Sequence, residues 1–334
     1  MTAPRPVAGY LLDPNALEAV FGSAERARVD TLLTISDDVH ATKESLLASP
    51  RLAQMEVLIA GWGTPRLTPE LLEKMPSLRL VLYSAGSIRP LVTEEFWERD
   101  IDLVSAADAN NDPVAEYVVA NTVLALKGEH RAMTHLRATQ TFLPDHTGLG
   151  IDERRIGLVG FGSIARKVAE RLRRFGHHIG VWDPYLDERD AVGVHRHETL
   201  TELFAGSDVV SIHAPWIAGE NDQLVGAEAL AALPHGATLI NTARGALVDE
   251  DALVDLLRRR HDLYAILDVT WPEPPPSGSP LYDLENVKLT GHIAGSIGTE
   301  RRALGRLVVG ELERWIDGRP LEHQVTVGAA RLRA

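Results

Sequence analysis

The sequence predicts an α/β protein built of two domains with parallel sheets, and three observations carry this. Short apolar runs of strand length recur along the chain, helical patterns lie between most of them, and 334 residues is the length of about two ordinary domains. Strands buried on both faces read as continuous apolar runs because helices cover each side of the sheet. In order, "EVLIAG" (56–61) reads as a strand. It is followed by "TPELLEKMP", where Thr68 caps a helix, Pro69 takes its first turn and Pro76 stops it. "LRLVLYS" (78–84) leads into the turn "AGSIRP", and "TEEFWERD" precedes the strand "IDLVSA". "DPVAEYVVANTVLALKGE" (112–129) predicts a longer helix whose apolar face runs through Val114, Val118, Thr122 and Ala125.

From Arg155 the rhythm becomes regular. Strand-like runs "RIGLV", "HIGVW", "DVVSI", "ATLIN", "YAILD" and "VKLT" begin at 155, 178, 208, 237, 264 and 287. Six strands of this kind are what a doubly wound dinucleotide-binding sheet requires. "PEPPPSGSP" (272–280) fits neither helix nor central strand and is expected as a surface loop. "GTERRALGRLVVGELERWIDG" (298–318) reads as one amphipathic helix, with Leu304, Leu307, Val308, Leu312 and Trp315 along one side. It lies beyond the sixth strand, so it is expected to return and pack on the first domain.

Composition excludes several classes. A formal net charge of −13 argues against nucleic acid or an anionic membrane as partner, since both select a basic face. The chain has no cysteine, hence no disulfide framework, thiolate zinc site or thiol nucleophile. The first residues carry an apolar run too short for a signal peptide core, and no run is long enough to span a bilayer, so a cytoplasmic location is expected. His177 with His178, and His195 with His197, lack the carboxylate spacing of a metal-binding helix and are expected as exposed side chains; no metal site is expected.

"GLVGFGSIARKVAERLRRFG" (157–176) follows a strand and opens a helix. Gly160, Gly162 and Ala165 fit G-x-G-x-x-G/A: two glycines let the backbone turn and approach a pyrophosphate, and the small third residue lets helix and strand pack closely. The helix N-terminus presents N–H groups to the anion. "VWDPY" ends the next strand with Asp183, 18 residues beyond Ala165, where a carboxylate accepts from an adenosine ribose diol and repels a 2′-phosphate. With no Arg or Lys at 184–187, this points to NAD over NADP.

Polar groups then follow three successive strands. Arg244 comes after the fourth, in "INTARGALVDEDAL"; Asp268 and Glu273 follow the fifth, in "LDVTWPEPPP"; His292 follows the sixth, in "LTGHIAG". All belong to one sheet edge, the edge where open α/β sheets bind ligands. The chemistry they share is hydride transfer to a carbonyl beside a carboxylate. Arg244 grips the carboxylate through its planar fork. His292 delivers the proton, and Glu273 orients its ring and favours imidazolium.

These motifs, together with "SDVVSIHAPW" and "PVAEYVVANTVLAL", resemble in order and spacing the D-isomer-specific 2-hydroxyacid dehydrogenases. The resemblance covers about 150 to 296 closely and the first hundred residues only in rhythm. It implies a Rossmann domain, 109–296, inserted in a flavodoxin-like α/β substrate domain, 1–108 plus 297–334. It implies catalytic Arg244, Glu273 and His292, and NAD contacts at Gly160, Phe161, Gly162, Ser163, Ile164, Asp183, His213, Pro215, Thr242 and Asp268, the last near the nicotinamide amide. It implies a substrate loop at Ser84, Ala85, Gly86 and Ser87 whose N–H groups meet the substrate carboxylate, a small 2-oxo or 2-hydroxy acid as partner, and a homodimer. Ser84 stands where the family usually has Gly, Ile88 where Asp is frequent, and Gly291 where Pro is common. Trp62, Tyr83 and Trp271 are expected as packing aromatics. Two other readings stay open: an NAD-sensing scaffold of the co-repressor kind on the same fold, and a formate- or phosphite-type dehydrogenase, the formate branch being disfavoured by Glu273, where that branch has Gln.

Overall fold

The computed structural model describes residues 4–36, 39–143 and 148–332. The chain divides into two compact units, Met1–Asn111 with Ser296–Ala334, and Asp112–Gly295.

In the first unit, β1 (Val7–Leu11), β2 (Thr34–Ile35), β3 (Val57–Ala60), β4 (Leu80–Tyr83) and β5 (Asp102–Ser105) form one sheet in the order β2-β1-β3-β4-β5. Every pairing is parallel, and the order is the flavodoxin-like one. Strand side chains alternate between two buried layers, which is why the runs read as apolar throughout. Leu58, Ala60, Val81 and Leu103 enter one layer; Val57, Ile59, Leu80 and Leu82 enter the other. The second layer is closed by helices Pro14–Val20, Ser23–Leu32 and Arg301–Ile316, so the last long helix does belong with the first strands. Its Leu304, Val308 and Leu312 are fully buried, each stabilising by roughly 1.5–3 kcal/mol. The exposed Arg28–Glu313 ion pair between the same helices adds at most about 1 kcal/mol, so packing holds this helix in place.

In the second unit, β6 (Arg155–Val159), β7 (His178–Trp182), β8 (His195–Arg196), β9 (Val209–Ile212), β10 (Thr238–Asn241), β11 (Tyr264–Leu267) and β12 (Val287–Leu289) form a parallel sheet ordered β12-β11-β10-β9-β6-β7-β8. This is the doubly wound Rossmann order with one strand added beyond β11. The chain reverses direction across the sheet between β6 and β9, and their C-terminal ends therefore flank the ligand crevice of such folds.

All six expected strands of this unit form, and β8 is an addition. Its sequence, His195–Arg196, has no apolar pattern because both residues lie exposed at the sheet edge. The helix expected from 112 begins at Ala107, whose N–H is capped by Ser105 Oγ at 3.2 Å, and runs to Leu126 through Pro113. "TEEFWERD" forms a short 3-10 turn, Glu94–Glu98, not an α-helix. His177 corrects the expectation of exposure: it is 5% exposed, with its ring stacked 6.0 Å from Phe175. His197 is likewise half-buried, against Gly180 and Leu203. Among the described residues, no helix is long and apolar enough to cross a membrane. One group of acid and imidazole atoms among them lies close enough to share a cation, Glu311, Glu322 and His323. There the buried Glu311 already accepts the N–H groups of Glu322 and His323 and faces Arg314, so the group fastens a turn.

Candidate active site

The glycine-rich turn follows β6. Gly160 has φ +85°, and a Cβ there would lie 2.8 Å from the Ala214 backbone, so only glycine fits both the turn and the approach. Gly162 is the N-cap of helix Ser163–Arg173 and makes no side-chain cap; a Cβ added to it would meet nothing within 4 Å. The helix thus starts with an open N-terminal face, the arrangement that receives a phosphate. Val168 and Leu172 anchor the helix, and Ala165, 0% exposed, is the small residue at the close contact. Asp183, just past β7, joins the two neighbouring turns. Its Oδ2 accepts from Phe161 N at 2.8 Å and its Oδ1 from Tyr185 N at 2.8 Å.

Past β9, His213 is held by its backbone N–H on Val159 O at 2.7 Å. Burial pulls its pKa down to about 4, so its ring is neutral, and Nε2 is buried with no partner. Pro215 follows, its carbonyl accepting from Asn221 Nδ2 at 2.7 Å. Thr242, past β10, likewise has a buried hydroxyl without a partner. Buried polar groups are normally hydrogen-bonded. Two orphans at one sheet edge, beside a bare glycine and an open helix end, fit a bound dinucleotide.

Arg244 sits two residues on. Asn241 builds its turn, donating Nδ2 to Arg244 O at 2.9 Å and accepting Ala243 N at 3.0 Å. The guanidinium donates to Ala243 O at 2.6 Å; burial lowers its pKa and the nearby Glu273 opposes that. Next to it, a Cβ on Gly245 would lie 2.0 Å from the Thr270 carbonyl carbon. Gly245→Ala is therefore expected to destabilise the protein by about 1–3 kcal/mol, because backbone, not a flexible side chain, must move. Thermal melts of the variant check this, and an unchanged midpoint would refute it.

Glu273 Oε1 and His292 Nδ1 lie 2.7 Å apart, both partly exposed. Nδ1–H donates to the carboxylate, which leaves Nε2 as the working nitrogen. His292 has φ +56°, a left-handed conformation that costs a non-glycine residue on the order of 1 kcal/mol. Asp268 holds it there. This carboxylate, 1% exposed, accepts Thr290 Oγ1 at 2.6 Å and Ile293 N at 2.9 Å on Oδ1, and Ala294 N at 2.9 Å on Oδ2. The Asp268 carbonyl takes His292 N at 2.9 Å.

One unit thus brings Gly160 to Ile164, Asp183, His213, Thr242, Arg244, Asp268, Glu273 and His292 to the C-terminal edge of one sheet. Ser84–Ser87 belong to the other unit, at the end of β4. Ser84 and Ala85 are buried, and Ser105 Oγ donates to the carbonyls of Ala85 (3.2 Å) and Gly86 (2.7 Å). Peptide planarity then turns the N–H groups of Gly86 and Ser87 away from Ser105. Of the expected packing aromatics, Tyr83 is buried, and Trp62 carries Arg301 over its ring at 5.3 Å. Trp271 departs from expectation: it is 58% exposed, its ring 5.2 Å from that of Trp216. Sequence reading missed Asn241, Thr290 and Tyr117, which shape the site from behind. Lys288 on β12 and Thr290 just past its end have the same parity, and each pairs with the helix Ala107–Leu126, through Asn121 and Tyr117 respectively.

Residues 120–294 match the NAD binding domain of the D-isomer specific 2-hydroxyacid dehydrogenases. Among curated relatives, the (S)-sulfolactate dehydrogenase of Chromohalobacter salexigens is 34% identical over 251 residues, covering 75% of this chain and 81% of that one. The D-3-phosphoglycerate dehydrogenase of Methanocaldococcus jannaschii is 28% identical over 288 residues, covering 86% of this chain and 54% of that one. The chain therefore spans about half the length of that relative. A solved protein from Thermus thermophilus superimposes with a TM-score of 0.73 at 29% identity, covering 96% of this chain and 100% of its own. A doubly wound sheet with a glycine-rich turn is shared by many dinucleotide-binding proteins, but the match across residues 120–294 takes in the Arg244, Glu273 and His292 segments as well; the chain belongs to the D-isomer specific 2-hydroxyacid dehydrogenase family.

Proposed function

We propose that the protein is an NAD(H)-dependent oxidoreductase that interconverts a 2-oxo acid and a D-2-hydroxy acid. The observation that carries the reading is the 2.7 Å Glu273–His292 contact on the sheet edge that also bears Arg244 and the glycine-rich turn. Gly160 to Ile164 and the helix start at Ser163 hold the pyrophosphate, Asp183 takes the adenosine ribose, and His213, Pro215, Thr242 and Asp268 line the remainder of the dinucleotide. Bound NADH supplies the hydride that reduces the carbonyl carbon. Arg244, charged despite its burial, binds the substrate carboxylate and polarises the carbonyl. His292 gives its Nε2 proton to the carbonyl oxygen as that oxygen gains charge, and Glu273, bound to Nδ1, fixes the orientation of the ring.

The test is NADH consumption with glyoxylate, hydroxypyruvate, pyruvate, phenylpyruvate and branched 2-oxo acids. In the reverse direction, NAD⁺ reduction is followed with D-3-phosphoglycerate and (S)-sulfolactate, the acids in the relatives' names. Activity is expected with at least one acid, with the D-hydroxy product for the 2-oxo acids and NADH bound more tightly than NADPH. Silence across the panel from folded, NADH-binding protein would overturn the proposal.

A homodimer completes it. Val119, Ala120, Val123, Leu124 and Phe175 line an apolar groove on the second unit, with Leu124 41% and Phe175 44% exposed. The neighbouring helix Glu129–Thr139 buries none of its residues. Exposed apolar patches of this kind mark interaction surfaces, and the occupant we assign is a second copy, the homodimer that the family resemblance implied. Leu124→Glu with Phe175→Glu is expected to convert a dimer to a monomer in sedimentation velocity; a wild-type chain that sediments as a monomer refutes the assignment.

A further inference from the structure

Helix Ala107–Leu126 meets strand β12 and the residue that follows it through two side-chain pairs. Tyr117 Oη lies 3.0 Å from Thr290 Oγ1, and Lys288 Nζ donates to Asn121 Oδ1 at 2.8 Å. Positions 117 and 121 stand one helical turn apart on one face, and 288 and 290 have the same parity along the extended chain. The two periodicities therefore bring the pairs into register. The proton directions follow from counting. A threonine hydroxyl has one proton, and Thr290 gives it to Asp268 Oδ1 at 2.6 Å, because the ionised carboxylate only accepts. Tyr117 must then be the donor to Thr290. Burial raises the Tyr117 pKa, which keeps that proton in place.

The chain of donors ends at the turn that carries His292. Asp268 accepts Ile293 N and Ala294 N on its two oxygens and His292 N on its carbonyl, while His292 itself is held at φ +56°. A bond to each Asp268 oxygen fixes the carboxylate's plane, and the plane fixes where the N–H groups of Ile293 and Ala294 sit. Tyr117 is the far end of this chain, anchored on a separate helix.

We infer that Tyr117 is a positioning residue for His292, acting through Thr290 and Asp268 to hold the left-handed turn that aims the imidazole. The inference rests on His292 being the proton donor proposed above. It differs from a direct cofactor contact: removing the phenol hydroxyl loosens the turn, while the glycine-rich turn past β6 and Asp183 past β7 are untouched.

The experiment compares the full chain with Tyr117→Phe, Thr290→Val, the double variant and Thr290→Ser, in two arms. One arm is amide hydrogen exchange at Ile293 and Ala294, which needs no turnover. Tyr117→Phe and Thr290→Val are each expected to speed exchange there about fivefold to tenfold, the loss of one net hydrogen bond, with β6 and β9 unchanged. The other arm is steady-state reduction of the best 2-oxo acid. There kcat is expected to fall about threefold to tenfold with KM for acid and NADH within twofold, because the lost interaction serves the transition state. The double variant is expected to be no worse than either single one, since both break one chain. Thr290→Ser keeps the hydroxyl and is expected to behave as wild type. Unchanged exchange at 293–294 in Tyr117→Phe overturns the inference, as does a rise in exchange spread over the whole sheet. If the wild-type chain reduces none of the acids, the functional proposal fails and the exchange arm still decides whether Tyr117 holds the turn.

Discussion

His292→Ala is expected to lower kcat by about 10²–10⁴, the contribution of a positioned general acid, with little change in NADH affinity. The geometry explains the selectivity. Nδ1 is committed to Glu273 at 2.7 Å, so the ring has one orientation and one free nitrogen. Two nearby titratable groups do not replace it. The His213 ring is held neutral by burial and sits past a different strand, and Asp268 is engaged by three protein donors. Most of the proposed dinucleotide contacts follow β6, β7, β9 and β10, and not β12, whose end carries the imidazole. Because His292 occupies a left-handed conformation, alanine carries its own backbone cost there. Asparagine tolerates that conformation better, so His292→Asn should lose the same activity with smaller loss of stability. Stopped-flow single turnovers separate the chemical step from product release. A variant that reduces its 2-oxo acid at near wild-type rate removes His292 from the proton-donor role. Glu273→Gln keeps a hydrogen-bond acceptor without the charge and is expected to lose less, about tenfold to a hundredfold.

Most of this site was legible in the sequence, for a physical reason. Parallel strands bury both faces, so β6, β7, β9, β10, β11 and β12 announce themselves as apolar runs, and whatever follows each run lies at the same edge. Arg244, Asp268 and His292 needed only that bookkeeping of position. Gly160 was legible because its φ of +85° and its approach to Ala214 leave one residue type possible. What escaped was lateral. β8 is two exposed residues at a sheet edge and has no apolar signature. The helix start at Ala107 depends on the Ser105 hydroxyl, one side-chain bond that periodicity does not register. His177 looked polar and solvated, yet a ring stacked beside Phe175 is covered by its neighbours. The chain from Tyr117 through Thr290 to Asp268 joins residues 173 positions apart at its first step, and no local pattern encodes such a pairing.

Arg244→Ala is expected to cut kcat/KM for the 2-oxo acid by roughly 10²–10³, because it removes the half-buried cation proposed above to pair with the substrate carboxylate. The turn itself should survive. Asn241 holds it through the Arg244 carbonyl and the Ala243 N–H, and both bonds are to backbone. The loss is therefore one of charge and fork geometry. Lysine restores the charge but presents a point donor where the guanidinium presents a planar pair, so Arg244→Lys is expected to recover less than about tenfold of the defect. NADH affinity, read from tryptophan quenching, should stay within about threefold in both variants, since the role proposed for the removed cation is to bind the substrate and not the dinucleotide. Alanine also takes a positive charge from beside Glu273, whose field opposes the depression of the arginine's own pKa. An Arg244→Lys enzyme with unimpaired kcat/KM would show that a cation suffices and the fork does not matter. An Arg244→Ala enzyme with unimpaired kcat/KM would move the carboxylate-binding role to another residue.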